Sequence, residues 1–84
     1  MAEIGKLYTL ARDPSVSTYG LCNTWNVSYK IITEWISSEK FLIPFMILSE
    51  YGSDENYWIQ ILIEDKTGWI HIDPDQLRIY KSYR

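Results

Sequence analysis

Hydrophobic and polar positions alternate most regularly from Tyr57 to Ile63. There Tyr57, Ile59, Ile61 and Ile63 fall on one side of an extended chain, and Trp58, Gln60, Leu62 and then Glu64 on the other. Successive side chains of a strand point to opposite faces, so the spacing predicts a half-buried strand with its isoleucine side toward the core. Most of these residues are aromatic or β-branched, which suits a pleated surface. The polar run Glu64-Asp65-Lys66-Thr67-Gly68 predicts a hairpin loop whose glycine accepts positive φ. Trp69 to Ile72 reads as the return strand. Asp73-Pro74-Asp75-Gln76 then joins a capping residue, a proline at the first helical position and a glutamine three residues after the cap, which starts a helical turn. Only Leu77 follows before another β-like run, so the turn is short and of 3-10 type, and Arg78 to Tyr80 closes the sheet.

Upstream, Ile4 to Leu10 reads as the first strand, and Asp13-Pro14-Ser15 ends it. Between residues 26 and 36 the apolar positions Val27, Ile31, Ile32, Trp35 and Ile36 recur as on one face of a helix, with Asn26 or Ser28 as its cap. So short a helix is unstable alone and has to pack against the sheet. Val27, Tyr29, Ile31 and Thr33 also alternate, as in a hairpin. Both readings stay open, with the helix preferred. Ser37-Ser38-Glu39-Lys40 is a break, and the apolar run Phe41 to Leu48, interrupted by Pro44, reads as a buried strand. Within it Met46 to Leu48 is the strand preceding Tyr57, and Tyr51 to Asn56 the loop between.

The order of strand, tight hairpin, Gly68-Trp69-Ile70 strand, one helical turn and final strand resembles the C-terminal half of Src homology 3 (SH3)-like barrels of the bacterial or phage type. The resemblance covers about residues 45–80. It implies a mainly β fold, a small SH3-like β-barrel of about five strands. Residues 1–84 then form one domain in which residues 11–40 replace the RT loop between the first two strands as an extended insertion carrying the short helix. In family members that bind proline-rich peptides, a Trp at the hairpin start and a Pro and Tyr after the Gly-aromatic-Ile strand form the groove. Trp58 or Tyr57 matches the first. Counting without gaps from Gly68, His71 stands in the place of the Pro and Pro74 in that of the Tyr, so proline-rich recognition is not expected.

Composition narrows the function. A chain of 84 residues supports one modest core, and 46% hydrophobic with 15% aromatic content is enough to fold without a metal or disulfide staple. Cys22 is the only cysteine, so it forms no internal bridge and reads as a small buried apolar residue. Glu3 and Lys6 interrupt the first ten residues, unlike a signal peptide, and the run Phe41 to Leu48 falls far short of the roughly 20 residues that span a bilayer. A cytoplasmic protein with no membrane contact is expected. An isoleucine-rich chain with alanine only at Ala2 and Ala11 also looks like small accessory proteins of AT-rich bacterial or phage genomes.

Charge is uneven. Residues 50–75 carry seven carboxylates (Glu50, Asp54, Glu55, Glu64, Asp65, Asp73, Asp75) against Lys66, a local balance of −6, so the total of −3 leaves the remainder at +3. Such residues keep a small barrel soluble and blunt its edges, and they favour a basic partner over nucleic acid, which needs a positive surface. His71-x-Asp73-x-Asp75 is the one place for a general base or metal, but Asp73 already serves as a cap and no second histidine or thiolate completes a site. No nucleophile elbow or glycine-rich phosphate loop is present, so no enzyme, cofactor or metal is expected. Four tryptophans, seven tyrosines and two phenylalanines exceed what one small barrel can hide. The surplus rings either pack the insertion onto the barrel or contact a partner, and Tyr57, Trp58, Trp69 and His71 are the candidate binding residues. The expected function is a non-catalytic protein-interaction or assembly module, its partner an unidentified protein or peptide of basic character. The alternatives are a nucleic-acid-associated small barrel and, third, a small enzyme or metal site around His71.

Overall fold

Seven antiparallel strands follow one another as β1 (Leu7–Leu10), β2 (Thr18–Cys22), β3 (Ile32–Ser37), β4 (Phe45–Ser53), β5 (Asn56–Ile63), β6 (Lys66–His71) and β7 (Leu77–Ile79). The computed structural model describes residues 2–12 and 15–81. The strands form one sheet in the order β3-β2-β6-β5-β4-β1-β7, curled into a half-barrel. Two 3-10 turns, Ser38–Lys40 and Pro74–Gln76, stand before β4 and β7. Among the described residues no helix is long and apolar enough to cross a membrane.

The strand at the centre of the alternation behaves as its pattern predicts. Tyr57, Ile59, Ile61 and Ile63 of β5 are buried in a core shared with Tyr8, Leu10, Phe45, Ile47, Ile70 and Ile72. Burying each such aliphatic chain is worth about 1.5–3 kcal/mol, which makes this row the main source of cohesion. The 3-10 turn before β7 is also as expected, with the Asp73 side chain accepting from Asp75 N–H at 3.0 Å and Pro74 at its start. β7 closes the sheet onto β1, one residue earlier in the chain than the pattern suggested, with Tyr8 opposite Ile79 and Leu10 opposite Leu77. At the other end of the chain, β1 begins at Leu7 rather than Ile4.

Several expectations are overturned. Among the described residues there are seven strands, not five, because the 11–40 segment contributes β2 and β3 as a hairpin that joins the sheet where Cys22 lies opposite Trp69. No helix forms over residues 26–36: β3 begins at Ile32 and pairs along β2, from Cys22 opposite Ile32 to Thr18 opposite Ser37. The helix-like spacing comes from a bulge. Register shifts between Leu21 and Cys22, so Thr33 is skipped and its hydroxyl donates to the Leu21 carbonyl. One extra residue turns alternation into an apparent spacing of three and four. Asn26 does cap, but only a single turn, accepting from Ser28 N–H at its side chain and from Tyr29 N–H at its carbonyl.

The β5–β6 connection is tighter than predicted. Ile63 faces Lys66, so only Glu64 and Asp65 turn the chain, and Glu64 itself takes the positive φ of 57°. Gly68 lies inside β6 and is buried. Similarly, residues 51–53 and 56 belong to β4 and β5, leaving Asp54 and Glu55 as the turn. Gly52 is required there: its φ is 80°, and a Cβ would sit 2.0 Å from the Asn56 carbonyl oxygen. The run from Phe41 enters β4 only at Phe45, while Phe41 plugs the core from the preceding turn and Leu42 is exposed.

Candidate interaction site

The face of the sheet opposite the isoleucines carries most of the expected site. Cross-strand register aligns Tyr51 of β4, Trp58 of β5 and His71 of β6 in one row, and Gln60, Trp69 and Cys22 in the next. Directly opposed residues share a face, so these side chains meet. The Trp58 and His71 rings lie 5.0 Å apart, tilted by 43°. Trp69 is half-buried on the same face.

Tyr57 stands apart from the other three. Alternation puts it on the core side, fully buried, where its hydroxyl donates to Glu50 Oε2 at 2.6 Å. Burial and this bond to a carboxylate push its phenol well above the usual tyrosine range. It anchors the core rather than presenting a surface.

Trp58 is only 3% exposed. What hides it is the loop of residues 23–31 between β2 and β3. Trp25 stacks on Tyr51 with ring centroids 3.7 Å apart and planes within 11°, and the Lys30 ammonium lies 5.9 Å over the Trp58 ring. The Trp58 indole N–H donates to Asn56 Oδ1 at 3.3 Å. Cys22 is buried on this face too, and desolvation raises its thiol pKa, partly offset by nearby Lys30. The insertion therefore does pack onto the barrel through aromatic rings, as a loop and not as a helix.

One run of exposed apolar side chains lies one element further out, others being scattered over residues such as Ile4, Leu42 and Ile79. Tyr29 is 75% and Trp35 58% exposed, with Val27, Ile31 and Ile32 also open to solvent along the same hairpin. β3 is an edge strand, so these residues border backbone with a free side. Sequence reasoning assigned Val27, Ile31, Ile32 and Trp35 to a buried helical face and so missed them. The alternation of Val27, Tyr29, Ile31 and Thr33 suggested a hairpin, but Val27, Tyr29 and Ile31 lie in the loop before β3, which begins at Ile32.

The carboxylates of residues 50–75 do not form one cluster. Ile72 N–H donates to the Tyr57 carbonyl, which places Asp73 and Asp75 at the same end of β5 as the Asp54-Glu55 turn, whereas Glu64 and Asp65 turn the chain at its other end. Asp73 is engaged as a cap, and among the described residues no group of three or more His, Cys, Asp and Glu is arranged to hold a metal. A cleft of about 180 Å³ between Ala2, Tyr8, Pro74, Leu77 and Ile79 sits by β1 and β7, with largely apolar walls. Comparison with family models, with curated proteins and with solved structures finds no match to this chain.

Proposed function

We propose that this protein is a non-catalytic interaction or assembly module that contacts a protein partner through the outer side of the β2–β3 hairpin. The observation that carries this reading is the run of exposed apolar side chains, Val27, Tyr29, Ile31, Ile32 and Trp35, along one edge hairpin. A contiguous apolar patch rimmed by polar groups is costly to leave in water and marks a contact surface, with aromatic residues as its usual anchors. The carboxylates of the Asp54-Glu55 turn and of Asp73 and Asp75 support a partner with basic character. A two-residue hairpin, the Gly68-Trp69-Ile70 strand, a 3-10 turn and a last strand paired with the first all support an SH3-like reading of the fold.

The test is affinity purification from the native host with tagged wild type and Trp35→Lys. Because Trp35 is exposed, the substitution should leave thermal unfolding nearly unchanged. Loss of a hot-spot aromatic worth about 2 kcal/mol weakens capture some thirtyfold, so the partner should disappear from the variant. Equal recovery of a protein partner by both forms would sink the hairpin reading, and co-purification of nucleic acid alone would replace it with the nucleic-acid-associated alternative.

A further inference from the structure

The loop of residues 23–31 is closed at its own base and laid across the sheet. Asn23 N–H donates to the Ile31 carbonyl at 3.0 Å, and Ile31 N–H to Asn23 Oδ1 at 2.7 Å. Within the loop, Asn26 N–H donates to Thr24 Oγ1 at 3.2 Å, and Asn26 in turn organises the Ser28 and Tyr29 amides. These bonds keep the loop's shape without reference to the sheet beneath it. Its grip on the sheet runs through side chains: Trp25 on Tyr51, and Lys30 over Trp58. Trp58 and Cys22, the two buried residues beneath, lie outside the main core cluster.

We propose that residues 23–31 are a strap that lifts from the outer face as a local unit, hinged where Asn23 and Ile31 close the loop, and uncovers Trp58, Cys22 and the stacked face of Tyr51 while the half-barrel stays folded. An aromatic stack and a cation over a ring are each modest contacts, so releasing them takes far less free energy than separating the isoleucine core. With the strap in place Trp58 is buried while Tyr51 and His71 beside it are already exposed, so the opening changes the exposure of Trp58 most. The inference stands on the strap's contacts alone and does not depend on the interaction reading above.

Cys22 is the reporter of the opening, since its thiol is buried, adjoins the hinge at Asn23 and lies in the field of Lys30 of the strap. Alkylation of the full chain by iodoacetamide, read by intact mass, is compared among wild type, Trp25→Ala and Ile61→Val, with urea unfolding of each. Trp25→Ala should raise the alkylation rate about tenfold with little change in the urea midpoint. Ile61→Val, in the core, should lower the midpoint and leave the rate unchanged. Rates that follow global stability in both variants, or an unchanged rate in Trp25→Ala, would overturn the strap. Should Trp25→Ala fail to fold, Lys30→Ala is read the same way, with an increase of about threefold expected and no increase counting against the proposal.

Discussion

Tyr57 shows how one side chain can belong to the core and still be polar. Its ring is buried among isoleucines, and its hydroxyl is satisfied by Glu50 at 2.6 Å. Leaving a carboxylate without its donor is expensive, so Tyr57→Phe is expected to lower the unfolding free energy by about 1–2 kcal/mol in urea titrations. The bond also predicts a pH dependence. The folded-state pKa of Tyr57 is raised, so the unfolded chain ionises first, near pH 10, and binds fewer protons there than the folded chain. Stability from this group is full below about pH 10 and is lost as pH rises through the folded-state value. Wild type should therefore lose urea midpoint above pH 10 more steeply than Tyr57→Phe. Parallel declines would show that the hydroxyl is not held as described.

At the scale of elements, the contact between β2 and β6 depends on a missing side chain. A Cβ on Gly68 would lie 2.5 Å from Leu21 Cγ and 3.0 Å from the Cys22 carbonyl oxygen. Leu21 is a core residue and the carbonyl is backbone, so neither yields cheaply. Gly68→Ala is expected to cost about 1–3 kcal/mol by overpacking, measured as a lower urea midpoint at unchanged m-value. An unaltered midpoint would mean that Leu21 finds another rotamer and that the close approach is not needed. The glycine thus serves the packing of two strands, while the turn it was expected to make is made by Glu64 and Asp65. The exposed ion pair of Lys66 with Glu34 spans the same two hairpins, but solvent screens it and it adds little beside that packing.

For the whole molecule, the decisive pairing is between the ends of the chain. Among the described residues β7 pairs with β1 alone, and β1 joins it to β4, so β7 is the edge strand that covers β1. Leu77 packs against the core, and the backbone of Tyr80 donates to the Leu7 carbonyl. A chain ending at Gln76 would leave β1 as an open edge and expose Tyr8 and Leu10. It should lose its cooperative thermal transition, because a domain this small has little burial to spare. A sharp transition within a few degrees of the full chain would show that β1 is held by β4 alone.

The sequence by itself determined the half of the fold whose rules are local. Alternation from Tyr57 to Ile63 assigned the core face, and Asp73-Pro74 dictated the 3-10 turn, because side-chain direction along a strand and capping both depend on neighbours a few residues away. Of the candidate site, Trp58 was placed opposite the isoleucines by the same rule, Tyr57 belongs with the core side on which alternation had already put it, and Trp69 and His71 reach the Trp58 face through the β5–β6 register. Tertiary structure alone decided the rest. Whether Ile32 to Ile36 formed part of a helix face or a bulged strand turned on pairing with β2, since a bulge and a helical turn give nearly the same apolar spacing in so short a segment. Whether Trp58 faced water turned on the 23–31 loop, which is remote in sequence and folds back over the sheet with Lys30 above the Trp58 ring and Trp25 on the neighbouring Tyr51. Alternation states which face a side chain takes. What covers that face is settled by contacts between distant parts of the chain.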